Sequence, residues 1–321
     1  MRALIIRGAR NLFTARVCEG SASEVGSKLD GIEIECRIKG KILKGVEGYY
    51  NPLAPGDVVE VENGLIVGLE KRRNEFARFN QKGQSPQLIA ANVDLAVCVA
   101  SFSSPPFRAR FLDRALLQAD IAGIQPVIVC NKYDLTVNAA DPDIDERLSD
   151  FERIGCPVFY LSAKTGKGID EFKNFIAGKF SVLVGQSGVG KSSLINVMIP
   201  ELEMKTGAIN EKFDRGKHTT TQGVLLEARF GDGVLTRVID TPGIRRFAVA
   251  GIKAGELILH MREFAPLAGK CSYGLSCSHE TEVGCKIMEA VHAGIIHEDR
   301  YESFLRIREE LAGKTAYPDL D

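Results

Sequence analysis

The 321-residue chain predicts a multidomain protein: an N-terminal β-barrel of oligonucleotide-binding (OB) type, a central α/β unit, and a C-terminal α-helical unit built around a cysteine-rich loop. Three observations predict it. Residues 1–72 alternate short β-rich runs with turns, and residues 91–250 alternate strand-like with helix-like runs. From about residue 251 the pattern is helical, except for a Cys/His loop at 271–285. Length alone favours two or three compact units.

In the first unit, IEIECRIKG, KILKG and PGDVVEVENGLIVGLEKR are strand-like, and Pro55–Gly56–Asp57 and Asn63–Gly64 are turn signals. Such closely spaced strands suit an OB-type barrel, and an SH3-like barrel reads much the same. Arg2, Arg7, Arg10 and Arg16 precede the first acid, Glu19, which is the bias of an organelle transit peptide. The preferred reading of that stretch is two strands, LII and FTARVC, around a turn at Gly8–Asn11. Residues 73–90 are polar and Gln-rich and read as a linker.

The central rhythm runs DLAVCVAS (strand), FLDRALLQADIAG (helix), QPVIVC (strand), DIDERLSDFERIG (helix), PVFYLSA (strand). A short helix at 169–177, the strand FSVLVG and a helix from Lys191 follow, and GVLLEARF with VLTRVID forms a hairpin through Gly231–Asp232–Gly233. Alternation of this kind builds a mainly parallel sheet with helices on both faces.

Net charge is −1, so any nucleic-acid contact must come from a local patch. Arg2, Arg7, Arg10, Arg16, Arg37, Lys39, Lys41 and Lys44 concentrate basic charge in the barrel, and a solvated face explains them equally well. No apolar run spans a bilayer and no secretory signal opens the chain, so a cytoplasmic location without a membrane partner is expected; a monomer is expected as well. Its eight cysteines then read as reduced thiols. Cys18, Cys36, Cys98, Cys130 and Cys156 lie in apolar or strand-like stretches, as small buried hydrophobes do.

The chemistry sits in the central unit. Gly185, Gln186, Ser187, Gly188, Val189, Gly190, Lys191, Ser192 and Ser193 form a G-x-x-x-x-G-K-S loop between a predicted strand and helix. Its glycines let the backbone wrap phosphates at a positive helix N-terminus; Lys191 reaches the β- and γ-phosphates, and the Ser192 hydroxyl ligates Mg²⁺. Two strand ends choose the base. Asn131, Lys132, Tyr133 and Asp134 close QPVIVCNKYDL, where the Asp134 carboxylate can accept from guanine N1–H and the exocyclic amine, donors adenine does not present. Asn131 can secure that loop and the Lys132 stem can cover the ring. Ser162, Ala163 and Lys164 end the next strand, and the Ala163 amide is placed to donate to guanine O6. These strings resemble the N-K-x-D and S-A-K signatures of Ras-like GTPases.

Downstream, VLTRVIDTPG brings Asp240 and Gly243, positions that in Ras-like enzymes hold Mg²⁺ through water and sense the γ-phosphate. Base recognition thus precedes phosphate binding, and the central unit reads as a circularly permuted P-loop GTPase. Compact domains tolerate such rotation because their termini often lie close together. The segment after Gly243 then runs directly into the C-terminal unit. The position just after the D-x-x-G motif, where Ras has a water-orienting glutamine, is Ile244, which implies slow intrinsic turnover. The nearest substitute is His218, beside Thr219 and Thr220, one of which is expected to complete the Mg²⁺ shell.

Cys271, Cys277, His279 and Cys285 supply three thiolates and an imidazole within one short Gly/Ser-rich loop, a closed tetrahedral set for structural zinc. His260, His292 and His297 read as surface or core residues.

Taken together, ANVD at 91–94, LDR at 112–114, PVIVCNKYDL, GQSGVGKSSLIN, KHTTT, DTPGIRRF and the C-S-H…G-C-K run resemble, over essentially the whole chain, the YjeQ/RsgA-type GTPases of small ribosomal subunit biogenesis. The resemblance implies slow GTP hydrolysis stimulated by the small subunit, contact with its rRNA, zinc and Mg²⁺ as metals, and His218 as the catalytic histidine. One interval departs: Cys271 to Cys277 is a residue longer than the family's usual spacing. On this reading the domains are 1–72 (barrel), 73–90 (linker), 91–250 (permuted GTPase) and 251–321 (zinc-binding). An RNA-binding scaffold that uses GTP as a state marker, and an ATP-dependent kinase or transport ATPase, are the competing classes.

Overall fold

Strands β1 (Arg2–Ala9), β2 (Leu12–Val17), β3 (Glu33–Ile38), β4 (Val58–Glu62) and β5 (Leu65–Leu69) close a barrel in the order β1-β2-β3-β5-β4 in the computed structural model. Residues 1–9, 11–18, 31–39, 46, 48–138, 142–202 and 223–313 are described. Only the β3–β5 pairing is parallel, and β4 returns to β1, the order of an OB-type barrel. LII and FTARVC are therefore strands, as expected. β1 is buried on both faces: Ala3 and Ile5 fill the barrel with Phe13, Cys36 and Val61, while Leu4 and Ile6 join the core of the central unit.

The basic charge of the barrel is partly neutralised. Arg2 makes two hydrogen bonds to Glu70, at 2.6 and 3.0 Å, and Arg16 pairs with Glu33 and with Glu227 of the central sheet. Arg37 and Lys39 lie on the exposed side of β3, and Arg10, Lys41 and Lys44 fall outside the described residues.

Residues 73–90 are not a linker. They form a hairpin of β6 (Glu75–Asn80) and β7 (Ser85–Ala91), whose Phe76, Leu88 and Ala90 are buried. The polar composition misleads because Arg78 and Asn80 both donate to Gln87 on one face, while a bulge between Phe76 and Ala77 interrupts the strand alternation. The hairpin is locked to the barrel. Asn51 bonds both backbone groups of Leu88, and Arg72 reaches Asp57 at 2.7 and 2.9 Å and Glu75 at 3.1 Å.

The central sheet comprises β8 (Leu95–Ser101), β9 (Gln125–Asn131), β10 (Val158–Tyr160), β11 (Phe180–Gly185), β12 (Val224–Phe230) and β13 (Val234–Asp240), ordered β10-β9-β8-β11-β13-β12. All pairings are parallel except β12–β13. Every residue of β8 is buried, and its alternation serves two layers. Ala96, Cys98 and Ala100 face helices α1 (Ala109–Ile121) and α2 (Pro142–Arg153), and Leu95, Val97 and Val99 face α3 (Ile169–Ile176) and α4 (Lys191–Met198). Cys98, Cys130 and Cys156 are core side chains, as their surroundings in sequence suggest; burial pushes the Cys156 thiol up to about 12.

The C-terminal unit carries a single turn α5 (Leu257–His260), α6 (Lys286–His292) and α7 (Glu298–Leu311). An ionic seam joins it to the central unit. The fully buried Asp113 carboxylate of α1 accepts from Arg147 of α2 at 3.0 Å, from Arg300 of α7 at 2.9 Å, and from the Ser303 hydroxyl. Arg300 also donates to Glu263 at 2.6 and 3.0 Å, Arg114 pairs with Glu310, and Arg262 holds Asp120 at 2.7 Å. Burial alone would raise the Asp113 carboxyl; the guanidinium groups of Arg300 and Arg147 hold it below its ordinary range. Replacing Asp113 by Asn removes the anion that two buried cations share, leaving Arg300 with Glu263 alone and Arg147 with the longer Asp150 and Asp299 contacts. A loss of about 3–5 kcal/mol in urea unfolding is expected, with residues 251–313 becoming protease-sensitive before the central sheet does.

Candidate functional site

The predicted nucleotide loops converge at the C-terminal ends of β9, β11 and β13. The chain fills positions on one side of β8 with β9 and β10, then crosses to the other side with β11, so the phosphate loop lies at a topological switch point, where open α/β sheets bind ligands.

Asn131 joins three of these loops. Its Nδ2 donates to the Val189 carbonyl of the phosphate loop at 2.9 Å, and its Oδ1 accepts from the Ala163 amide at 3.1 Å. The contact needs Gly190, which sits at φ +94°; a Cβ there would come within 2.3 Å of Asn131 Nδ2. The Ala163 amide, expected to donate to a guanine, is therefore engaged by Asn131 in this state. Asp134 is positioned by the Ser162 hydroxyl at 2.6 Å, with the Lys164 ammonium 3.9 Å away. Lys132, at φ +62°, extends its stem toward Gly190 and donates to the Ser104 carbonyl. Tyr133 differs from its motif neighbours. Its ring packs edge-on against Phe102 and Tyr160, with Lys167 Nζ 3.7 Å from its centroid, so it anchors the loop to the core.

The phosphate loop runs from Gly185 through Gln186, Ser187, Gly188, Val189 and Gly190 into Lys191, Ser192 and Ser193 of α4. Lys191 Nζ donates to the Gly185 and Gln186 carbonyls at 2.9 and 3.1 Å. Asp240 ends β13 opposite Leu183, and Thr241 donates its hydroxyl to the Leu183 carbonyl at 2.6 Å. Gly243 lies directly on the phosphate loop: a Cβ there would meet Ser187 N and Cα at 2.8 Å. The next residue, Ile244, donates its amide to the Gly185 carbonyl at 3.0 Å and buries its side chain.

Charge is unbalanced here. Burial pulls the Lys191 ammonium down despite Asp240, and burial pushes the Asp240 carboxyl up to about 6 despite Lys191. Asp240 Oδ1 is buried without a hydrogen-bond partner. An orphaned, buried carboxylate oxygen that feels the Lys191 ammonium, together with a half-buried Ser192 in the first turn of α4, fits a hydrated Mg²⁺. His218, Thr219 and Thr220 lie outside the described residues.

The four predicted zinc ligands are together and buried, with donor atoms within 4.8 Å of one another. Cys271 and Cys285 sulfurs lie 3.6 and 3.5 Å from His279 Nδ1 and 3.9 Å from each other. Zn–S and Zn–N bonds of about 2.3 and 2.0 Å imply tetrahedral edges of about 3.5–3.8 Å, so the set fits zinc. Between Cys271 and Cys277 the chain makes a 3-10 turn at Gly274–Ser276, which brings Cys277 into the cluster. Outer contacts hold the ligands: the Lys286 amide donates to Cys271 Sγ at 3.3 Å, the Tyr301 hydroxyl donates to the His279 carbonyl at 2.7 Å, and Glu282 accepts the Ser278, Glu280 and Thr281 amides.

Several contributors escaped sequence reasoning. Ser162 as the support of Asp134 and Lys167 over Tyr133 depend on loop geometry; LDR at 112–114 signalled Asp113 and Arg114 without revealing that they face the C-terminal unit.

A phosphate loop, an N-K-x-D strand end placed before it, and a D-x-x-G turn after it define a circularly permuted GTPase. The family model described as RsgA GTPase matches residues 69–250. The small ribosomal subunit biogenesis GTPases RsgA of Chlorobaculum parvum and Chlorobaculum tepidum are 36% and 35% identical to the chain. They cover 88% and 91% of it, and 92% and 95% of those proteins are matched. Among solved structures, YjeQ from Thermotoga maritima superposes with TM-score 0.67 at 29% identity, covering 98% of this chain and 99% of that one. YloQ, titled a circularly permuted GTPase, gives TM-score 0.63 at 25% identity, with 99% and 96% covered. The chain belongs to the RsgA GTPase family: it is an enzyme that hydrolyses GTP, with zinc and Mg²⁺ as its metals.

Two outcomes are expected. Cys277→Ser lowers bound zinc below one equivalent, read by metal analysis, and opens the 271–285 loop to proteases. Because the folded Asp240 carboxyl titrates near 6, above its ordinary 3.8, the folded state holds the extra proton between these values. Without nucleotide and metal, this group therefore costs stability as pH rises from about 4 to about 6. Mg²⁺ affinity changes in the opposite sense, falling up to about tenfold per pH unit below 6; Asp240→Asn removes both dependences, measured by thermal melts and Mg²⁺ titration of the GDP complex.

Proposed function

We propose that this chain hydrolyses GTP in step with a late stage of small ribosomal subunit maturation, turning over slowly alone and faster on the subunit. The observation that carries the proposal is Ile244. Its buried side chain and its amide bond to Gly185 commit to packing the position where Ras holds its water-orienting glutamine, so a catalytic group must be brought in from elsewhere. The relatives' names, which specify small-subunit biogenesis, support the choice of partner.

In this proposal Asp134 reads the guanine N1–H and amine, Asn131 and Lys132 fix and cover the base, and Ser162, Ala163 and Lys164 complete its rim. The amides of Gly185–Ser193 and the Lys191 ammonium bind the phosphates. Gly243 senses the γ-phosphate, and Ser192, Asp240 and one of Thr219 and Thr220 hold the metal, which neutralises charge developing on the phosphates. His218 orients or deprotonates the attacking water. Binding of rRNA, a monomeric state, a cytoplasmic location and independence of membranes belong to the same proposal; among the described residues no helix is long and apolar enough to cross a membrane.

GTP turnover measured with and without isolated small subunits is the test. Stimulation at saturating subunit is expected, and its absence would leave only a GTP-marked scaffold. Under stimulation, His218→Ala should lower turnover by about 100-fold or more at unchanged GDP affinity. Full stimulated turnover in that variant removes the histidine from the mechanism.

A further inference from the structure

Beside the nucleotide loops lies a cleft of about 240 Å³, lined by Phe107, Arg108 and Arg110 at the start of α1, by Gln186 of the phosphate loop, and by Arg245 and Asp299. Three arginines face one acid. Arg110 holds Glu302 of α7 at 3.0 Å, and Asp299 lies 3.7 Å from Arg147, so both help to form the wall toward the C-terminal unit. Arg108 and Arg245 are exposed, and Phe107 is half-buried. The first turn of α1 carries no acidic residue, and its N-cap, Arg108, supplies no side-chain cap, so the helix dipole adds to the positive potential. The volume lies below the roughly 300 Å³ at which pockets for drug-sized ligands begin, which suits one nucleotide unit rather than a folded element.

We propose that this cleft binds single-stranded RNA, seating a backbone phosphate between Arg108 and Arg245 with the adjoining base against Phe107. Guanidinium forks match phosphate oxygens, and an aromatic edge stacks any base. An acidic peptide would use the arginines and leave the aromatic edge idle. Position gives the contact a consequence. Gln186 adjoins Gly185, whose carbonyl receives both Lys191 and Ile244, and Arg245 directly follows Ile244. RNA seated here touches the phosphate loop, the γ-phosphate sensor and α1 at once, and so is the route by which the subunit accelerates turnover; this second part rests on the proposed subunit-linked hydrolysis.

The chain contains no tryptophan, so Phe107→Trp provides a single reporter in the full-length, zinc-loaded protein. Titration with an eight-nucleotide oligouridylate should quench it. The variant carrying Arg108→Ala and Arg245→Ala should lose about tenfold or more in affinity and reduce the salt slope by about 0.7, the value for one phosphate contact on a single strand. Its basal GTP turnover should remain and its stimulation by small subunits should fall, while Arg108→Lys with Arg245→Lys retains binding. Equal oligouridylate affinity in the Phe107→Trp protein with and without the two alanine substitutions overturns the site, whatever the subunits do. Displacement by inorganic phosphate, or by oligoglutamate, at concentrations equal to the oligouridylate reassigns the cleft to a free anion or an acidic protein and overturns the RNA proposal. Normal oligouridylate binding in a wild-type protein that subunits fail to stimulate keeps the site and overturns its proposed link to turnover.

Discussion

The arrangement of the molecule depends on one buried carboxylate. Asp113 is fully enclosed, and its charge is tolerable only because Arg147, Arg300 and Ser303 converge on it from two other helices. A buried ion loses several kcal/mol of hydration, and removing one partner costs about 3–5 kcal/mol, whereas the intact cluster is a weak source of net stability. Its effect is therefore geometric. α1 can adopt few positions relative to α2 and α7 that leave no charge unpaired. The same helix receives the Ala250 amide on Gln118 at 2.8 Å and packs Phe111 edge-on against Phe247. The segment joining the γ-phosphate sensor to the zinc-bearing unit is thus fastened to the helix that orients that unit.

The permuted chain order gains its meaning from this fastening. Between Gly243 and residue 251 the backbone touches the phosphate loop through Ile244, the hairpin through the Ala248 carbonyl, which accepts the Phe79 amide at 2.9 Å, and α1 through Ala250. A displacement of Gly243 would not remain local. It must be absorbed among the hairpin, α1 and the C-terminal unit, because close-packed cores change between discrete arrangements rather than deforming smoothly. At the phosphate loop, Lys191 turns onto its own loop carbonyls and Asp240 holds a buried oxygen with no hydrogen-bond partner.

Much of this was legible in sequence, and the misses have physical causes. Strand–helix alternation, the phosphate loop and the guanine strand end are local patterns, and each falls where its periodicity put it. The four zinc ligands are also local, and one 3-10 turn between Cys271 and Cys277 brings them together. The hairpin at 75–91 was read as a linker because its buried Phe76, Leu88 and Ala90 are spaced by residues that satisfy one another's polar groups. Partner identities were invisible for a different reason. Glu227 lies far along the chain from Arg16, as Arg300 does from Asp113, and no local pattern reports which charges a fold brings together.

Ile244 shows how a position can be lost to catalysis by being needed for structure. Its amide occupies the Gly185 carbonyl and its side chain joins the core containing Val184, Ile239 and Phe247. A glutamine there would have to bury a polar amide among aliphatic and aromatic neighbours, at a cost of about 1–3 kcal/mol where it finds no partner. The same packing that fixes Ile244 against the phosphate loop thus leaves no water-orienting side chain at this position. One packing decision both ties the segment leading to the C-terminal unit to the phosphate loop and, in the proposed function, leaves hydrolysis to be completed from outside that segment.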